Sequence, residues 1–301
     1  MKKTIVTLLA LAGTAFAADS YTWNGGATIN NAGWKNQANW QPTQGTSWTN
    51  TQPEDDDPNK DKVTYWNADS NGPATEGSNM WGDIYISGAT GTVTSIIEGW
   101  SLDLHLTNGT ALTFNRIKKL QGGTTIEIDE TSSLTINEWW GGYDGGSIIL
   151  NNKGTFTINY SCHVQGGDGF VMNLYDAGTV TFLDQNHDSS DNTAKVASIT
   201  AQLTGAGTGI LERQLITLDN RENKKVSFDG TTTAYSFTDA NGTVMTKVDS
   251  LEALATAVAP SYYVTKDDSG IKVSYVLVPE PTTATLSLLA LCGLAARRRR
   301  K

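Results

Sequence analysis

Leu112-Thr113-Phe114-Asn115, Leu134-Thr135-Ile136-Asn137, Phe156-Thr157-Ile158-Asn159 and Val180-Thr181-Phe182-Leu183 form one column of apolar-Thr-apolar segments. Their first residues are separated by 22, 22 and 24 positions. Eight positions before each lies a second apolar-x-apolar triplet: Leu104-His105-Leu106, Ile126-Glu127-Ile128, Ile148-Ile149-Leu150 and Met172-Asn173-Leu174. Glycine pairs follow at Gly122-Gly123, Gly145-Gly146 and Gly166-Gly167. Two short alternating strands in a period of about 22 residues, with turns at fixed offsets, are the signature of a stacked repeat. Alternation sends Leu112 and Phe114 to one face and Thr113 to the other. Stacked coils then build an outward ladder of Thr113, Thr135, Thr157 and Thr181 over a continuous apolar core, with neighbouring strands parallel and ~4.8 Å apart. A β-meander would not need the same residue classes at the same phase. The expected fold is therefore all-β: a right-handed parallel β-helix, or β-solenoid.

Outward from this centre the repeat weakens. Ile84-Tyr85-Ile86 with Val93-Thr94-Ser95-Ile96 reads as an earlier coil, and residues 199–203 and 210–218 as later ones, giving a solenoid over 83–230. Residues 231–278 read as a small α+β cap. Asp249 to Val258 has helical spacing behind an N-cap residue. Tyr262 to Thr265 and Ile271 to Val276 flank Asp267-Asp268-Ser269-Gly270 as a hairpin. Such a cap would cover the open end of the stack. Residues 18–82 are a Trp-rich N-terminal segment, in which 41–62, rich in Pro, Asp, Thr and Asn, reads as an exposed loop.

The two ends read as processing signals. Lys2 and Lys3 precede the apolar run Ile5 to Ala12, and Ala15-Phe16-Ala17 supplies a small-x-small site. Residues 1–17 are thus expected to be a signal peptide cut after Ala17. At the other end, 279–301 joins Pro279-Glu280-Pro281, the apolar stretch 282–296, and Arg297, Arg298, Arg299, Arg300 and Lys301. At ~1.5 Å per residue that stretch, as a hydrophobic helix, reaches about 22 Å against a hydrocarbon core of ~30 Å. It suits a marginal, transient anchor, with the cations retained on the cytoplasmic side.

These three parts, in this order, resemble the PEP-CTERM sorting signal of Gram-negative bacteria, in the variant found in Akkermansia-like Verrucomicrobia. The resemblance covers only the tail. It implies recognition and processing at Pro279, Glu280 and Pro281 by an exosortase, a membrane cysteine transpeptidase, with the basic tail as topological stop. It also implies an exported protein of the cell envelope or outer surface, held at the inner membrane only before processing. Tyr21-Thr22-Trp23-Asn24-Gly25-Gly26 through Asn39-Trp40 resembles, over about twenty residues, the opening segment of β-helical autotransporter-like surface proteins.

Composition narrows the partners. The chain has 22 Lys+Arg and 31 Asp+Glu. Without Lys2, Lys3 and the five terminal cations, 15 basic residues face 31 acidic ones, a balance of −16. Such a domain repels nucleic acid and anionic lipid surfaces. Cys162 is the only cysteine outside the two end segments, so no internal disulfide is available.

Several constellations could carry chemistry. All nine Trp lie at or before Trp140. Trp23, Trp34, Trp40, Trp48, Trp66 and Trp81 are either sugar-stacking platforms or large core residues plugging the end of the solenoid. Trp139 and Trp140, before Gly141-Gly142, are the candidate glycan-binding pair. Asp184, Asn186 and Asp188 have calcium-loop spacing, but Ser189 and Lys195 stand where an EF-hand needs Gly and Glu. A looser calcium site and a solvated polar loop are the alternatives. Asp268-Ser269-Gly270 spells an aspartic-peptidase triplet, yet Lys266 and Asp267 precede it and no second copy exists, so a hairpin turn explains it. His105 falls opposite Glu127 if the coils stack, as an outward pair. No zinc spacing, no G-x-S-x-G and no phosphate loop occur. Asp144 and Asp168, beside glycine pairs, are the carboxylates for glycan cleavage if the chain is an enzyme.

The expected function is that of an exported structural or adhesive β-solenoid, with no cofactor, surrounded by envelope or extracellular polysaccharide or glycoprotein. One alternative is a secreted hydrolase of mucin-type glycoprotein or polysaccharide. A second is a Trp-based carbohydrate-binding module.

Overall fold

A computed structural model of the chain describes residues 20–35, 39–42, 79–80, 83–99, 103–120, 124–141, 147–164, 169–175, 177–184, 193–205, 209–220, 227–229 and 233–278. Strands β1 (Ser20–Trp23) and β2 (Thr28–Ile29) precede a short helix α1 (Asn31–Lys35), β3 (Trp40–Pro42) and β4 (Asn79–Met80). Short and long strands then alternate: β5 (Asp83–Ser87) and β6 (Thr90–Gly99), β7 (Asp103–Thr107) and β8 (Ala111–Leu120), β9 (Thr124–Ile128) and β10 (Ser133–Gly141). The pattern continues with β11 (Ile148–Asn152) and β12 (Thr155–Val164), and β13 (Phe170–Leu174) and β14 (Thr179–Asp184). After β15 (Thr193–Gln202), β16 (Leu211–Asn220), β17 (Ser227–Asp229), β18 (Ala234–Thr238) and β19 (Thr246–Lys247) come helix α2 (Leu251–Thr256) and the hairpin β20 (Ser261–Asp267) and β21 (Gly270–Val276).

The short strands stack in parallel as sheet A, in the order β1, β5, β7, β9, β11, β13, β15, β18. The long ones stack in parallel as sheet B, in the order β2, β6, β8, β10, β12, β14, β16. Thr92, Thr113, Thr135, Thr157, Thr181 and Thr217 are successive partners, so the threonine ladder exists. The molecule is all-β and solenoid-like.

Each long strand turns a corner. Inward residues fall at Leu112, Phe114 and Ile117 in β8, and at Leu134, Ile136 and Trp139 in β10. That spacing is two, then three. Two residues in succession leave the core at the corner, and the segment beyond points back into the same interior. The core holds Leu104, Leu106, Ile126, Ile128, Leu150 and Met172 from sheet A, facing Leu112, Phe114, Leu134, Ile136, Phe156 and Phe182 from sheet B. Burying each such side chain contributes ~1.5–3 kcal/mol, and this core stands where disulfides would otherwise be needed.

The register of sheet A differs from the eight-residue offset in one coil. Ile126 pairs with Leu150, not Ile148, and Leu150 with Met172. The turn before β12 is Lys153-Gly154, two residues shorter than the turn over residues 129–132. A slip of two keeps every side chain on its own face, so the core is preserved. The short turn requires glycine. A Cβ on Gly154 would sit 2.2 Å from the Ser132 carbonyl oxygen and 2.3 Å from that of Asp129.

Stacking also extends beyond 83–230. β1 and β2 form a first coil on β5 and β6, and β18 continues sheet A on β15. An antiparallel strand covers one sheet at each end: β3 lies on β1 of sheet A, and β21 lies on β16 of sheet B. The C-terminal hairpin and helix occur where expected, with the Ser250 hydroxyl accepting the Ala253 N–H at 3.0 Å as N-cap. Asp268-Ser269-Gly270 is the hairpin turn: Asp267 Oδ1 accepts the Ser269 N–H at 2.8 Å, which orders the loop.

Candidate functional site

The parallel register lines up Tyr85, His105, Glu127, Asn151 and Asn173 as successive partners on the outward face of sheet A. The Tyr85 ring stacks on His105, with centroids 4.3 Å apart and planes within 7°. His105 Nδ1 lies 2.7 Å from Glu127 Oε2, which makes the outward pair that the stacking implies. The other carboxylate oxygen accepts from Asn151 Nδ2 at 3.3 Å, and Asn151 Oδ1 accepts from Asn173 Nδ2 at 2.8 Å. A carboxylate only accepts. Glu127 therefore sets the direction of the row, with donors converging on it along the stack.

A second outward column runs beside the first through Thr107, Asp129, Lys153 and Tyr175. Between the two columns lies an open cleft of about 450 Å³, lined by Tyr85, His105, Glu127, Asn151, Lys153 and Tyr175 among others. That is within the range of small-ligand sites. Tyr85 heads the first column and Tyr175 ends the second, and they are 39% and 38% exposed, respectively.

Asp129 belongs to the turn rather than to the cleft chemistry. Its Oδ2 accepts the Asn108 N–H at 2.6 Å, and its Oδ1 accepts the Thr131 N–H at 3.0 Å and hydroxyl at 2.9 Å. Burial pushes its carboxyl up. Hydrogen bonds from the Ser132 hydroxyl, the Asn108 N–H and Thr131 outweigh that and hold it below the usual carboxylate value. Asn108 itself adopts φ 57°, a left-handed conformation, and so presents its N–H to the next coil.

Of the residues singled out in the sequence, Trp139 requires correction. It is fully buried, edge-on to Phe170 at 5.5 Å and Phe156 at 6.3 Å, and offers no ring face to a sugar. The corner in β10 is the reason, since it rotates Trp139 inward. Trp140 pairs through its backbone with Lys118 and His163, and its side chain lies outside the described residues. Trp23 and Trp34 are buried, Trp34 edge-on to Phe114 at 5.4 Å, so these two plug the N-terminal end of the core. Asp184 ends β14 opposite Asn220, while Asn186 and Asp188 lie outside the described residues. So do Asp144, Asp168, Ala17, Pro279, Glu280, Pro281 and Arg297 to Lys301. Among the described residues no cluster of three or more His, Cys, Asp or Glu could hold a metal ion, and no helix is long and apolar enough to cross a membrane.

The cleft was only half legible. His105 and Glu127 follow from the period, and Tyr85 shares their phase as the middle residue of Ile84-Tyr85-Ile86, but Tyr175 sits at a coil position that no repeat singles out. The usable signal was an outward column whose residues change from coil to coil.

No protein-family model matches the chain, and neither characterised proteins nor solved structures give a match.

Proposed function

We propose that this chain is an exported protein of the cell envelope, sorted by an exosortase-type system, whose right-handed β-helix serves as a rigid structural or adhesive element at the surface. In this reading residues 1–17 are removed after Ala17. The C-terminal hydrophobic helix over 282–296 holds the chain at the inner membrane until Pro279, Glu280 and Pro281 are processed.

The continuous parallel stack of sheet A, from β1 to β18, is the observation that carries the adhesive part. A stack of this kind fixes outward side chains in straight columns on a rigid support, which is what a surface contact needs.

Sorting is tested by fractionating cells that express the intact chain beside one with Pro279, Glu280 and Pro281 replaced by alanine. The expected result is an unprocessed variant retained at the inner membrane. Identical location and processing of the two chains would remove the sorting reading.

A further inference from the structure

Resting on the anchoring reading above, we propose that one end of the C-terminal hairpin, marked by Val258 and Val278, docks on the lipid surface while the 282–296 stretch holds the chain in the membrane. The occupant of this apolar end is the membrane interface itself. The contact presents Pro279, Glu280 and Pro281 at that interface.

The hairpin of β20 and β21 has two unlike ends. At one, Ser261 lies opposite Val276; at the other, Asp267 lies opposite Gly270 and the turn closes. Val258 stands three residues before Ser261 and Val278 two residues after Val276, so both belong to the open end. They are 87% and 52% exposed, and no large apolar side chain among the described residues is more exposed than Val258. The Ser261 hydroxyl donates to the Val258 carbonyl at 2.5 Å, which ties this segment to the start of β20.

Charge separates the ends as clearly as hydropathy does. Residues 256–262 and 276–278 contain no charged side chain. The exposed Lys247 lies opposite Tyr262 on the neighbouring strand β19. A lysine there can lay its stem along apolar surface and keep its ammonium among polar headgroups. The exposed carboxylates of Asp267 and Asp268 sit at the far end, in the turn. Six residue steps at ~3.4 Å put that turn roughly 20 Å away.

Chain length says what covers the apolar end. The apolar stretch begins at Thr282, four residue steps after Val278. Four steps of at most ~3.6 Å reach about 14 Å, and the interfacial layer on each side of the hydrocarbon core is about 5–8 Å deep. With the stretch inserted, Val278 therefore stays close to the lipid, and Val258 shares its end of the hairpin. The chain carries a formal charge of −9, so apolar contact rather than attraction to anionic lipid drives the docking.

The test uses the full chain, purified from membranes, reconstituted into phosphatidylcholine vesicles and floated on a density gradient. Val258→p-benzoylphenylalanine and Asp268→p-benzoylphenylalanine place the same photoreactive group at the two ends of the hairpin. Irradiation is expected to give a lipid adduct at position 258 and none at position 268. Adding Val278→Asp should lower the adduct at position 258 roughly tenfold, the order of effect expected from losing one buried apolar side chain. Both valines are exposed, so these changes leave the core intact, and an unchanged urea midpoint checks this.

Equal adducts at the two positions overturn the proposal. So does a floating chain with no adduct at position 258, or one whose yield survives Val278→Asp, as a cap that is only tethered would show. In those cases the anchoring reading stands and the docking falls. A chain that fails to float removes the anchoring reading, and the docking with it.

Discussion

The same coils present two outward columns that follow opposite rules. In the Thr113 column of sheet B like stacks on like. Threonine pairs with threonine from Thr113 to Thr181. At the corner Asn159 donates to Asn137 at 2.8 Å, and Asn137 to Asn115 at 3.4 Å. On sheet A the equivalent column changes at almost every step, from Tyr85 through His105 and Glu127 to Asn151. A hydroxyl or an amide complements its own copy, because it both donates and accepts. A carboxylate does not, and two of them at rung spacing would repel. A face that only has to stack can therefore be uniform, whereas Glu127 needs His105 on one side and Asn151 on the other.

The largest expected perturbation lies beneath both faces. Phe170 is fully buried and edge-on to Trp139 and to Phe182, the latter at 6.2 Å. Phe170→Ala should lose about 3–5 kcal/mol in urea unfolding. Both faces should melt together; separate transitions would show that the sheets are independent units.

Next comes the short turn that shifts the two sheets against each other. Gly154→Ala would drive a Cβ against two carbonyl oxygens and should cost about 1–3 kcal/mol. An unchanged midpoint of unfolding would contradict the turn geometry.

The polar rows should then differ in kind. Asn137→Ala removes the centre of the sheet B amide row and should cost about 1 kcal/mol. Glu127→Ala, on a partly exposed row, should cost less stability, read as a smaller shift of the urea midpoint. Equal stability losses would erase the distinction between the two columns.

The smallest effect is one of pH. The Asp129 carboxyl is held low in the folded chain, against an unfolded value near 3.8. Its stabilisation is thus complete above that value and is lost as pH falls through the lower folded one. Because the group is largely exposed, the effect is modest. Urea midpoints measured from about pH 5 downward should fall less steeply in Asp129→Asn than in the parent chain. Parallel curves would show that the turn hydrogen bonds add nothing.

Much of the fold was legible because the repeat is strict where the core is. Leu112, Leu134, Phe156 and Val180 share one phase, and they are consecutive partners in sheet B. The pairing of Ile148 was misread because turn length, not apolar spacing, sets the register of the short strands. Trp139 was misread because strict alternation holds only as far as Ile136. Ile117 and Trp139, each five residues after the first leucine of its segment, were the available sign of the corner, and they pair directly.

The residues alone determined the solenoid, since side chains of one class at one phase have a shared interior only when coils stack. They also determined the His105–Glu127 contact, which follows from the same period. Only the tertiary structure decided where the chain turns its corners, and hence that Trp139 points in while Tyr85 and Tyr175 flank an open cleft. The physical reason is that a corner shifts the side-chain phase by one residue. Where that shift falls depends on how neighbouring coils close around a common core.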